Sequence, residues 1–348
     1  MRYTTPARVI GQALIGAGAL IAASGAIPLV GSAQQANSYT VPRTPWGDPD
    51  LQGKWPGTEM VGVPMQRDEK LGTRNVLTDE EFAERERRAV LQEEQDNADF
   101  ELENAASTPG GDVGGAVSPP PHWLERGAPQ RQASLIVDPP NGRMPAFTQA
   151  AQDRQAELRA FRQTRGPADS YTDRSNYDRC ITRGLAGSIL PVIYNNGTQI
   201  YQSPGYVAIV NEMIHETRVV PLDNRPHAGP AIKMWLGDSR GHFEGDALVV
   251  ETTNFTDRTG VGVNGGGQRH SEALKITERF TRVADDAIEY QMTIDDPQTW
   301  TAPWTMQFPL KRDDGYGMFE YACHEGNLAM FNILSGHRAD ERAAAGSR

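Results

Sequence analysis

Cysteine is scarce in this sequence, with two among 348 residues. Cys180 and Cys323 form no CxxC pair and show no zinc-type spacing, which excludes a structural zinc knot and a thioredoxin-like redox motif. There is no HExxH, no His-x-His and no phosphate loop. Positive charge is also in deficit, with 34 Lys and Arg against 45 Asp and Glu and a net charge of −11. Such a surface repels phosphate backbones, so nucleic acid is not an expected partner. Long hydrophobic runs are limited to one, Val9 to Val30, and nothing beyond it suits a membrane span.

That run follows Arg2 and Arg8 and ends at Gly31-Ser32-Ala33. A positive start, an apolar centre and a small-residue exit predict a secretion signal over residues 1–33. Gln12, Ser24, Pro28 and several glycines dilute the run below the roughly 20 strongly apolar residues of a spanning helix. The expectation is a cleaved, periplasmic or secreted protein with no membrane span. In an oxidising compartment an even pair of cysteines bridges, so a Cys180–Cys323 disulfide is expected.

The pattern along the mature chain predicts a mainly β fold with two peripheral helices in the N-terminal half. Residues 34–170 read as an extended arm, two helices and a flexible loop, packed on a β-rich domain at 171–340. A polar tail follows at 341–348. Asp50 to Trp55 reads as a first strand. Thr78 and Glu81 have capping-box spacing for a helix running to about Asn104, and 106–121 reads as the flexible loop. A short strand is expected over Ala133–Val137 and a second helix over Thr148–Arg165. From 189 onward, short β-branched and aromatic runs predict strands at 198–201, 206–214, 217–221, 247–253, 274–283, 287–294 and 304–308, then a last one at 321–325. Repeated hairpins without helices predict an antiparallel meander closing into a barrel or strongly curved sheet. The glycine-rich Gly262–Gln268 follows no strand-to-helix pattern and reads as a mobile loop.

Seven histidines are present, three of them in distinctive company: His215, His227 and His324. Histidine offers a base near neutral pH. Glu216 or Glu325 is placed to orient an imidazole, and Arg218 or Arg225 to hold an anionic group. Trp235, Trp300, Trp304, Tyr194, Tyr206 and Tyr321 crowd the β-rich half, where large rings either line a pocket or fill a core.

Six strings together resemble a family of secreted proteins of proteobacterial and acidobacterial type: Asp178-Arg-Cys-Ile-Thr-Arg-Gly184, Glu212-Met-Ile-His215, Leu222-Asp-Asn-Arg-Pro-His227, Trp235-Leu-Gly-Asp-Ser-Arg-Gly241, Glu244 to Phe255, and Tyr321-Ala-Cys-His-Glu-Gly-Asn327. The likeness runs from about Asp48 to His337. It implies export and the placement of these motifs, and it implies no reaction.

The leading functional expectation is a cofactor-independent lyase, isomerase or hydrolase acting on a small aromatic or apolar molecule. His215 would be the base, and His324 or His227 its acid partner. The competing expectations are a barrel that binds a hydrophobic ligand for uptake, and a zinc hydrolase in which His215, His227 and His324 hold the metal. A structural envelope protein, with no ligand at all, is a further alternative. All the enzyme readings require these histidines to converge.

Overall fold

The computed structural model describes residues 39–96 and 123–346. The expected secretion signal, the flexible loop and the end of the first helix lie outside them. Antiparallel ladders build two main sheets and a small ribbon. The four-stranded sheet has the order β1 (Gly53–Lys54), β3 (Thr198–Ser203), β4 (Tyr206–Asn211), β5 (Thr217–Pro221). The six-stranded sheet has the order β2 (Ile136–Asp138), β12 (Trp304–Lys311), β11 (Ala287–Asp295), β10 (Lys275–Ala284), β7 (Ala247–Thr253), β6 (Asp238–Glu244). β8 (Gly260–Val261) and β9 (Gln268–Arg269) form the ribbon. Among the described residues, neither main sheet closes on itself, so the expected meander is present without a hydrogen-bonded barrel.

Four helices accompany the sheets: α1 (Asp79–Asp96), α2 (Gln149–Gln163), α3 (Gly184–Ile189) and α4 (Leu328–Gly346). Thr78 and Glu81 exchange the two bonds of a capping box at the start of α1, and Thr148 caps α2 by accepting from Ala151 N. α4 replaces the polar tail read from the sequence. His337 meets Asp169 at 3.0 Å, and Arg338 donates to the carbonyls of Ala168 and Asp169, which docks α4 on the chain after α2. No described helix is long and apolar enough to cross a membrane.

The period-2 alternation of the long strands decides the core, because successive side chains point to opposite faces. β12 buries Trp304, Met306, Phe308 and Leu310, and β11 buries Ile288, Tyr290, Met292 and Ile294. Ile200, Val207, Ile209 and Val220 from the other sheet join the same cluster. Tyr290 packs between Phe280 and Phe308, with ring centroids 4.8 and 5.1 Å away. Through this apolar layer runs one ion pair: Arg218 of β5 donates to both oxygens of Glu278 on β10, and Tyr290 donates to Glu278 at 2.8 Å.

His270 is a second buried polar group, with a purely local explanation. Its Nδ1 donates to Ser271 O at 2.9 Å and its Nε2 accepts from Thr259 Oγ1 at 2.8 Å. Both bonds suit the neutral ring, and burial pushes its pKa below the ordinary 6.5. The unfolded chain therefore binds the proton more readily. The stability His270 contributes is complete above pH 6.5 and is lost as pH falls from there through the folded value. Urea unfolding at pH 7.5 and pH 5.5 should show lower stability in acid, with a shallower slope for His270→Gln; an unchanged slope would show that another group is responsible.

Candidate active site

Four segments converge beside the start of α3: residues 177–184, the turn between β4 and β5, the glycine-rich loop and the arm at 316–327. The Cys180–Cys323 disulfide, with Cα atoms 5.7 Å apart, ties the first segment to the last. β4 does not run to Ile214 as its apolar pattern suggests. It ends at Asn211, and the chain turns at Met213–His215 through two left-handed residues, Ile214 and His215. Asn211 N donates to Glu216 O to close the excursion. The Glu212 side chain then anchors it by accepting from Gly197 N, Tyr316 Oη and Phe319 N. The strand expected over 206–214 is cut short for this reason.

The backbone here is strained. Cys180, Asn195, Ile214, His215 and Asn264 all have φ between 45° and 59°, a region costly to residues with a Cβ and most costly to β-branched isoleucine. Each such residue costs on the order of 1–3 kcal/mol, and such strain concentrates where a site needs a side chain aimed.

The strain aims a specific set of groups. His215 is exposed, and its Nδ1 lies 3.0 Å from Tyr321 O. A carbonyl only accepts, so Nδ1 carries the proton and the neutral ring keeps its lone pair on Nε2. Tyr177 and Tyr194 share a hydroxyl–hydroxyl bond of 2.7 Å. Burial first, and then this bond, raises the Tyr177 pKa; Tyr321, also raised by burial, interacts with both phenols. The Arg183 guanidinium stacks 5.5 Å from the Tyr177 ring and donates to Asn264 Oδ1 at 2.6 Å. Glu216 accepts from Ser188 Oγ at 2.6 Å and from Thr182 Oγ1. Burial nevertheless raises its pKa and favours the neutral carboxyl, against those hydroxyls and Arg183. Tyr177, Tyr321, both cysteines and Asn327 line a cleft of about 330 Å³.

The glycine-rich loop packs closely against α3. A Cβ on Gly187 of α3 would stand 2.8 Å from both Gly262 O and Gly265 N, so only glycine lets the helix approach the loop that carries Asn264. Gly187→Ala should destabilise the protein by about 1–3 kcal/mol, measured by urea unfolding. An unaffected midpoint would mean that this contact is not tight.

The remaining sequence-picked residues lie in other settings. His227 sits after β5, with Nδ1 3.4 Å from Asp238 and Nε2 3.8 Å from Glu251. His324 and Glu325 are exposed in a turn, because 321–325 is not a strand. Arg218 is consumed by Glu278 in the core, and Arg225 is held by Asp223 and donates to Tyr206 Oη at 3.0 Å. Neither is free to receive an anion. Trp300 and Trp304 are buried core rings stacked edge-on at 5.5 Å, and Trp235 is partly exposed. Among the described residues, the one His/Cys/Asp/Glu trio with all ligand atoms within 4.8 Å is Asp169, His337 and Glu341, so His215, His227 and His324 do not form such a group.

Sequence reading missed Arg183, Tyr177, Thr182, Ser188 and Asn264. The signal for Arg183 was its place three residues after Cys180, in one of the recognised strings. Gly237-Asp-Ser-Arg-Gly241 also matches G-x-S-x-G as a string. Ser239 sits inside β6, 6% exposed and bonded to Thr252 Oγ1 at 2.9 Å, and not on the strand-to-helix turn a nucleophilic serine needs. No protein-family model, curated protein or solved structure matches the chain.

Proposed function

We propose that the protein is an exported acid–base enzyme acting on a small aromatic molecule in the disulfide-walled cleft, as a lyase, isomerase or hydrolase that uses no cofactor. The observation that carries this reading is a cleft walled by Tyr177, Tyr321 and the left-handed Cys180, with an exposed, tautomer-fixed His215 bonded to the Tyr321 carbonyl and Tyr194 bonded to the Tyr177 hydroxyl. Strain that serves only packing has no reason to gather around an exposed imidazole. His215 Nε2, the ring nitrogen left with a lone pair when Nδ1 bonds the Tyr321 carbonyl, acts as the base. Glu216, next in the chain to His215 and with its pKa raised by burial, is the carboxyl partner in place of His227. Tyr177, Tyr194 and Tyr321 supply ring surface and hydroxyls for the substrate.

Export is part of this reading and rests on the Cys180–Cys323 bond and the charge and apolar pattern of residues 1–33. We also read the two sheets as an incompletely closed barrel. Support comes from Gly241 of β6, where an added Cβ would meet Val220 and Leu222 at 2.8 and 3.0 Å, and from Asp313 N just after β12, which donates to Lys54 O of β1.

The test is incubation of the purified mature protein with lignin-type aromatics and oligosaccharides, read by mass spectrometry. A new product from an aromatic is the expected result. An aromatic bound and recovered unchanged would replace the enzyme with a binding module.

A further inference from the structure

α4 meets the segment that follows α2 through three side chains with metal-binding atoms. His337 and Glu341 stand four residues apart on α4, so they share one helix face. Asp169 approaches from the other segment. His337 Nε2 lies 3.0 Å from Asp169 Oδ1 and 3.5 Å from Glu341 Oε1, and the three ligand atoms all fall within 4.8 Å of one another. Ligand atoms around a tetrahedral zinc, with bonds of about 2.0–2.1 Å, stand about 3.3 Å apart, so His337 is already spaced from both carboxylates as in a shared shell. The side chains of His337, Asp169 and Glu341 are 21, 35 and 46% exposed, which keeps the cluster within reach of a cation from solution.

The surroundings prepare these atoms for an ion. Gly166 N donates to Asp169 Oδ2 at 2.7 Å, which leaves Oδ1 to face His337. Arg338 donates to both oxygens of Glu341 and, through its other terminal nitrogen, to the carbonyls of Ala168 and Asp169. Hydrogen bonds of this kind orient the ligands of metal sites from outside. Space is the second, independent feature. A Cβ on Gly166 would stand 2.4 Å from Asp169 Oδ1 and 3.1 Å from His337 Nε2, against the ligand atoms themselves. Gly166 has no positive φ, so room beside those two atoms, and not backbone freedom, calls for glycine there. The charge also suits a cation. Asp169, Asp173 and Glu341 outnumber Arg165 and Arg338 by one, and Arg165 is already held by Asp173.

We propose that Asp169, His337 and Glu341 form a zinc site that clips α4 to the segment after α2. One imidazole nitrogen and two carboxylate oxygens are a donor set that suits zinc, with water as the fourth ligand. Calcium and magnesium prefer shells of about six or more oxygens, which this trio does not supply. None of the three residues lines the tyrosine cleft, so the clip stands independently of what that cleft does.

Calorimetric titration of the tag-free, metal-stripped mature protein with zinc chloride, beside melting curves with and without zinc, tests this. One zinc per chain should bind and raise the melting temperature, because the ion holds the folded state. Asp169→Asn and His337→Ala should each weaken binding by at least about tenfold and abolish the melting shift. Asp169→Asn keeps the size of the side chain and an oxygen on it, and its metal-free melting curve establishes that the variant is folded. Calcium should bind more weakly than zinc and give no melting shift. No zinc binding by the wild type, undiminished zinc binding in either folded variant, or calcium bound as tightly as zinc would each overturn the proposal.

Discussion

Arg218→Met should lower the unfolding free energy by about 3–5 kcal/mol, the cost of leaving one partner of a buried ion pair uncompensated. Arg218 is 7% exposed and Glu278 is fully buried. The guanidinium satisfies both carboxylate oxygens, and the third bond comes from Tyr290. Removing the cation leaves Glu278 with a single phenol donor inside an apolar layer. The pair also joins β5 of one sheet to β10 of the other, so its loss weakens the contact between sheets as well as the charge balance. Replacing both partners, Arg218→Met with Glu278→Leu, should recover much of the loss, because the double variant buries no orphaned charge. Urea denaturation of the wild type and three variants measures this cycle. A single-variant loss below about 1 kcal/mol would show that water reaches the pair.

The sheets were legible in the sequence because they obey a period of two. β10, β11 and β12 bury alternate residues, while β7 buries its first four in a row, and the turns at Glu244-Gly-Asp246 and Ala284-Asp-Asp286 join the neighbours they suggest. The capping box at Thr78 and the disulfide were equally readable, being local chemistry and a forced pairing.

The site was only partly legible. His215, Glu216, Tyr194 and Tyr321 were picked out by residue type and company. Their geometry was not, because a strand ending in left-handed residues at Ile214 and His215 carries the same apolar letters as a strand that continues. Arg218 and Arg183 show the other limit. Both are arginines in β-rich surroundings, and what separates them is a bidentate carboxylate 60 residues away in one case and the neutral amide of Asn264 in the other. α4 was missed for a related reason. Its first turns expose Leu328 and Phe331, and its second half is docked by His337 and Arg338, so it shows no buried apolar stripe.

His215→Ala carries the other large expected effect. A positioned general base accounts for about 10²–10⁴-fold in rate, and in the proposed reading His215 is that base, with Nδ1 committed to Tyr321 O and Nε2 left as the acceptor. Its structural role is small by comparison. The ring is exposed and contributes one hydrogen bond, worth about 1 kcal/mol, which corresponds to roughly 1–2 °C in melting temperature for a chain of this size. Rate and stability should therefore separate.

The decisive measurement is the turnover of the best aromatic substrate by wild type and His215→Ala, at matched concentration and below both melting temperatures. The account predicts a loss of at least about 100-fold in the variant with its fold retained. Undiminished conversion by a folded His215→Ala protein would contradict it and leave the strained, tyrosine-lined cleft without the base assigned to it.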